Sequence, residues 1–231
     1  MQFHQVIDLS HTLNRNIPQW PGDPKPEFEE VSNLERDGFY HRRLSLGEHS
    51  GTHVNAPAGF HPAGVGLDQY PPSAFVTPAI VIDVRERAAA NPDYRLGVNV
   101  LLEWEKEHGI IPAGTVALLH SGWDEKWNDP QTYLGESDDG VLHFPGFGVE
   151  ALGVLLTQRG AAGIGIDTHG VDGGRDTTFS INRRTLEQPR IVLENLCNLD
   201  QLPPLGVTLV IGALRLQGGS GSPASVLAFL P

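Results

Sequence analysis

The sequence predicts a mixed α and β protein whose sheet is not built by regular βα alternation. Three observations carry this. Short apolar, β-branched runs such as AIVIDV outnumber stretches with helical periodicity. The 27 glycines and 18 prolines are spread along the chain and cut it into short elements joined by tight turns. The helical patterns fall late and singly. At 231 residues the chain suits one domain, residues 1–231, able to bury a sizeable core without staples.

The elements follow in order. Residues 6–9 read as a first strand, and the proline-rich IPQWPGDPKP follows it. Residues 28–31 and 39–46 read as strands; in the second, Tyr40, Arg42, Leu44 and Leu46 alternate with Phe39, His41, Arg43 and Ser45. Residues 79–84 are β-branched and apolar, hence a buried strand. Residues 98–108 read as a helix, with Val98, Leu101, Leu102 and Glu105 at helical spacing and Gly109 as the stop. A strand at 115–120 and a helix at 149–158, closed by Gly160, come next. Strands at 163–167, 190–193, 207–211 and 226–229 complete the chain. Glycines 218, 219 and 221 precede a strand rather than a helix, so they read as a tight turn and not a phosphate cradle.

Sixteen Lys and Arg against 28 Asp and Glu give a net charge of −12. That balance argues against nucleic acid and against an anionic membrane surface as partners, because both need a basic footprint. No apolar run approaches the ~20 residues that span a bilayer, and the N-terminus lacks a basic region followed by an apolar one. The expected location is the cytoplasm. A single cysteine, Cys197, excludes an intrachain disulfide and a thiolate zinc site; its apolar setting reads as a buried, inert thiol. Trp123 and Trp127, four apart, read as a packing stripe.

The stretch HSGTHVNAPAGFH, residues 49–61, holds three histidines, an asparagine and a proline. His49, Gly51, His53, Asn55 and Pro57 fall at every second position and share one face of a straight strand. His53 and Asn55 would then lie ~7 Å apart, near enough to converge on one ion, whereas His49 and His53 would be ~13 Å apart. A bend at Gly51 would bring them together. Gly51, Thr52, Val54 and Pro57 argue against a helix, so the stretch is placed on a bent strand end or loop. Spacing alone leaves two readings open: metal ligands, or structural histidines.

The sequence resembles the cyclase family of metal-dependent hydrolases over nearly its whole length. IDLSHTLNRNIPQWPGDP resembles the family's opening segment and HSGTHVNAP its HxGTHxDxP signature. GIGIDTHGVD, IVLENLCNLDQLP and LRLQGGSGSP resemble three later segments. The resemblance implies an α/β fold with a curved, mixed sheet or barrel-like core flanked by a few helices. It implies a homodimer or homotetramer, and hydrolysis of an amide, lactam or lactone in a small molecule by a divalent metal, Zn or Mn. By position, His49 and His53 match the metal-binding histidines, Asn55 the metal-binding aspartate, and Glu194 a later glutamate ligand.

Three positions depart from the family pattern: Asn55 for aspartate, Gly59 for a histidine, and Asn182 for another histidine. An amide oxygen still ligates, more weakly, but bridges two cations poorly because it lacks the charge that offsets their repulsion. The changes point away from two ions and towards one divalent ion per chain, or none. Glu194 is a candidate ligand or general base. His61 and His169 are the candidates for the missing catalytic imidazole. Trp20, Phe60 and Asn182 are the candidate substrate-binding residues, and Phe144 reads as core or pocket wall. The retained His49, His53 and Glu194 favour a hydrolase; the lost charge and imidazoles favour a non-catalytic relative that binds a small molecule or serves assembly. A third reading gives Asn55 a different metal and an isomerisation or cyclisation.

Overall fold

Side chains alternate sides along every strand, and over much of this chain both sides are apolar. The computed structural model describes residues 3–231. Its strands are β1 (Gln5–Asp8), β2 (Glu27–Ser32), β3 (His41–Ser45), β4 (His53–Asn55), β5 (Val76–Asp83), β6 (Arg95–Leu96), β7 (Val116–His120), β8 (Gly146–Phe147), β9 (Gly163–Ile166), β10 (Ile191–Glu194), β11 (Val207–Ala213) and β12 (Gly221–Leu230). The α-helices are α1 (Leu34–Asp37), α2 (Arg85–Ala90), α3 (Val98–His108), α4 (Pro130–Leu134), α5 (Val149–Gly153) and α6 (Ser180–Thr185). Seven strands follow one another in the order β12, β11, β5, β7, β9, β10, β4, and the ring closes where β4 pairs with β12. β1 adds to β12. The result is the mixed, barrel-like core with flanking helices that the family resemblance implied.

One half of the barrel departs from the sequence expectation. β5, β7, β9 and β10 are parallel neighbours, and helices lie in each connection between them. Regular βα alternation is therefore present here. α2 and α6 are only six residues long, too short for a 3.6-residue period to show in sequence. The helix expected at 149–158 continues beyond α5 as a π-helical turn, Val154–Gln158, and Gly160 follows at φ +62°. α3 has the expected bounds, but it buries Val100, Leu101 and Trp104 while Leu102 is exposed. Trp104 also donates from Nε1 to the Val81 carbonyl at 2.9 Å, tying the helix to β5. The strand expected at 39–46 begins later than read, at His41, and pairs with β2 as a separate, largely exposed two-stranded sheet. β12 starts at Gly221, inside the stretch read as a turn.

Val54, Val81, Leu118, Leu193, Leu209 and Val226, drawn from six barrel strands, pack as one interior cluster. On the other side of the parallel strands, Ile80, Ile82, Leu119 and Val192 meet Leu101, Trp104, Leu152 and Leu155. Each such side chain contributes about 1.5–3 kcal/mol when fully buried. Because Val54 and Leu193 point inward, His53, Asn55 and Glu194 point outward. The candidate donors thus sit on the outer face of the wall, against α6. A third cluster, with Trp123, Trp127, Tyr133 and Phe144, supports the loops on that side, as expected for the tryptophan pair. Cys197 is buried, and burial pushes its thiol up to about 12, which fits an inert role. Among the described residues, no helix is long and apolar enough to cross a membrane.

Candidate metal centre

Gly51 turns the chain between His49 and β4. Its φ of +65° lies in the left-handed region, and a Cβ there would fall 2.4 Å from Leu13 Cδ2. The bend holds the His49 and His53 rings 5.2 Å apart between centroids, far closer than a straight strand allows. His49 Nδ1 then lies 2.9 Å from Asn55 Oδ1. Across the β4–β10 ladder, His53 is in register with Glu194, and its Nε2 lies 3.0 Å from Oε2.

Hydrogen bonds behind these atoms aim their lone pairs. Asn55 Nδ2 donates to Asn182 Oδ1 at 3.0 Å and to Glu194 Oε2 at 2.9 Å, so its Oδ1 is the atom turned towards His49. His53 Nδ1 donates to the Gly51 carbonyl at 2.9 Å, which leaves Nε2 bare when the ring is neutral. Glu194 Oε1 accepts from the Val171 amide and from Asn182 Nδ2, both at 2.9 Å. At 3.0 Å, His53 Nε2 and Glu194 Oε2 have a proton or a cation between them. Two imidazoles, an amide oxygen and a carboxylate are donors that suit one divalent ion. Burial would raise the Glu194 carboxyl, but the hydrogen bond and charge of His53, with the Asn182 and Val171 donors, outweigh it and hold the group at about 2. Burial, reinforced by His53, pulls His49 below its ordinary value.

The centre opens on a cavity of about 300 Å³. His49, His53, Asn55, Glu194, His169, Trp20, Phe60 and Asn182 all line it, so most of the residues singled out in the sequence come together. Trp20 stands edge-on to Phe144 and His169, at 6.2 and 6.1 Å between centroids. Phe179 lies 6.0 Å from Trp20 and 6.1 Å from Phe60. Phe144 is both core and wall, at 1% exposure.

One expectation needs correction. His61 is not among the lining residues; the 3₁₀ turn Pro57–Gly59 carries it past the cavity, and its Nε2 donates to the Arg183 carbonyl at 2.9 Å. His169 lines the cavity, but burial, aided by His53, depresses it to about 3. Its buried Nε2 has no hydrogen-bond partner among the described residues. Asn182 lines the cavity and also braces its floor. Its Oδ1 accepts from Asn55, and its Nδ2 donates to Glu194 and to Asp172 Oδ2, the latter at 2.8 Å.

Sequence reasoning missed Asp172, which closes the DTHGVD segment. Its Oδ1 accepts from the Ile181 and Asn182 amides at 2.5 and 3.1 Å, anchoring the start of α6. Burial raises it to about 6 against the opposing Asn182 hydrogen bond. Phe179, at φ +56°, was also missed; nothing in its sequence context announces a left-handed aromatic residue. A different group, His120, Asp124 and Asp167, has ligand atoms within 4.8 Å of one another. The Asp167 oxygens, however, accept from the Ser121, Gly122 and Trp123 amides and the Ser121 hydroxyl, so this carboxyl already holds the turn after β7.

A closed mixed barrel carries His49, His53, Asn55 and Glu194 on the lining of an aromatic-walled cavity. The chain belongs to the Cyclase family, whose model matches residues 7–173. It is 33% identical over 244 residues to an isatin hydrolase of Roseibium aggregatum, covering 98% of this chain and 92% of that protein. It is 26% identical to a kynurenine formamidase of Bacillus thuringiensis over 96% of both chains. Isatin hydrolase A from Ralstonia solanacearum superposes with a TM-score of 0.92 at 34% identity, over 98% of this chain and 92% of that one.

Proposed function

We propose that this chain is a metal-dependent hydrolase of an amide, lactam or lactone bond in a small molecule, working with one divalent ion, Zn or Mn, per chain. The observation that carries the reading is the 3.0 Å approach of His53 Nε2 to Glu194 Oε2 on the floor of an aromatic-walled cavity. The relatives' names point to isatin, a lactam, and to a formamide as those proteins' substrates, which favours a C–N bond here. His49, His53, Asn55 and Glu194 would hold the ion. When bound, a divalent cation lowers the pKa of water and polarises a carbonyl oxygen. Trp20, Phe60, Phe144 and Phe179 shape a slot for a flat, apolar body and exclude bulk water. Asp172 fixes Asn182, which in turn fixes Asn55 and Glu194. Glu194 stays ionised at working pH and serves as ligand or proton acceptor, not both at once.

The weaker donor at Asn55 favours a second reading, a non-catalytic protein that binds an aromatic molecule. Metal-free protein reconstituted with Mn or Zn separates the two. Ring opening of isatin, or hydrolysis of N-formylkynurenine, supports the hydrolase. Binding of these compounds without turnover under any metal supports the alternative. The proposal includes a homodimer or homotetramer in the cytoplasm; exposed Phe39, Tyr40 and Leu44 around the β2–β3 sheet support self-association, which light scattering tests.

A further inference from the structure

We infer that Asp176 is a positioning residue that makes the cavity selective for flat aromatic substrates, by holding the Phe179 ring between Trp20 and Phe60. The inference deepens the proposed function and rests on it for the reaction, though not for the selectivity.

Phe179 is the middle plate of the aromatic wall. Its ring centroid lies 6.0 Å from Trp20, on the connection between β1 and β2, and 6.1 Å from Phe60, on the turn after β4. Trp20 in turn meets Phe144 at 6.2 Å. Aromatic pairs at such separations are in contact, so Phe179 makes one wall out of rings from distant segments. Its backbone, at φ +56° and ψ +42°, is left-handed, a conformation that glycine or asparagine adopts readily and an aromatic residue seldom does. A rare backbone conformation that its surroundings over-determine points to a role for the side chain it carries.

Asp176 does the holding. Its Oδ1 accepts from the Thr178 amide at 2.7 Å and the Thr178 hydroxyl at 2.6 Å. Its Oδ2 accepts from the Ser180 amide at 3.2 Å and from the Ser180 hydroxyl. All of these donors stand on the two residues that flank Phe179. The Ile181 and Asn182 amides at the start of α6 are held by Asp172 instead, so the Asp176 bonds serve the Phe179 turn. Arg183 closes the other side. Its Nε donates to the Thr178 carbonyl at 3.0 Å and its Nη1 to the Phe60 carbonyl at 2.8 Å, tying the two aromatic-bearing turns together. Burial would raise the Asp176 carboxyl, but the Ser180 and Thr178 hydrogen bonds outweigh it and hold the group below its ordinary value. An ionised carboxylate has about four acceptor sites, and these bonds fill them. Asp176 lines the cavity, yet it acts on a substrate through Phe179 rather than by direct contact. The wall it completes favours a π face, because edge-to-face and offset contacts draw on the ring quadrupole that a saturated ring lacks.

The test compares binding of oxindole, a flat aromatic lactam, with octahydroindol-2-one, its ring-saturated counterpart, by isothermal titration into the purified protein. Wild type should bind oxindole about tenfold more tightly. Asp176→Ala and Phe179→Asn should each bring the ratio close to one. Phe179→Tyr should keep it, and Asp176→Asn should fall between, since its amide oxygen accepts from one side of the turn only. Phe179→Asn suits the left-handed backbone and decides the matter if Asp176→Ala does not fold. In the Phe179→Asn background, Asp176→Ala should change the ratio no further. A folded Asp176→Ala that melts lower but keeps the wild-type preference overturns the inference, as does wild type that binds neither compound or both equally. Wild type that prefers oxindole but hydrolyses no amide, lactam or lactone with Mn or Zn ends the hydrolase reading and leaves the selectivity standing.

Discussion

His53 and Glu194 face each other across β4 and β10 with Nε2 3.0 Å from Oε2, both side chains almost wholly buried. Such a pair fails when either member is removed, because the survivor is left buried without its partner. His53→Ala is expected to abolish both divalent-ion binding and turnover. Glu194→Gln should weaken Mn or Zn binding by at least about tenfold, read by isothermal titration.

Asn55→Asp restores a charge beside the centre. In the metal-free protein the new carboxylate lies against Glu194, where Asn55 Nδ2 now donates at 2.9 Å. That contact becomes repulsive, so the metal-free variant should melt lower than wild type. Bound metal relieves the repulsion, and affinity should rise by about tenfold or more, equivalent to roughly 1.4 kcal/mol. Thermal melts with and without Mn show both effects.

Gly51→Ala forces a Cβ onto Leu13 Cδ2 in a left-handed backbone. The expected loss is about 1–3 kcal/mol of stability by urea denaturation, with a parallel drop in metal affinity as His49 swings away.

His11 stacks on Trp127 at 3.8 Å between centroids, and burial lowers its pKa to about 4, with the Leu196 carbonyl opposing. A histidine depressed in the folded state contributes stability above its unfolded value of 6.5, and that stability is lost as pH falls towards about 4. His169 acts in the same direction down to about 3. Wild type should therefore weaken steadily below pH 6.5. His11→Phe keeps the stack and should remove part of that acid limb, on the order of 2–3 kcal/mol by pH 4. Denaturation at a series of pH values measures the difference.

Much of the centre was legible because its determinants are local. The alternation of His53 and Asn55 and the bend at Gly51 are properties of seven consecutive residues, and the structure has both. The convergence of Glu194 with them came from resemblance, since no spacing rule reaches across that separation; the register of β4 with β10 supplies it. His61 was misread because a 3₁₀ turn rotates it out of line, and a short turn leaves little periodic signal. Asp172 acts through hydrogen bonds formed only once separate segments meet. In the parallel half of the barrel α3 and the helix at 149–158 were legible, whereas α2 and α6 are too short to advertise themselves.

Elemental analysis of purified wild type and His53→Ala, after incubation with Mn or Zn and removal of free ion, bears most directly on the central claim. One divalent ion per wild-type chain and none in the variant is the result predicted. Two ions per chain, or a folded wild type that retains none, would contradict a single-ion centre built on His49, His53, Asn55 and Glu194.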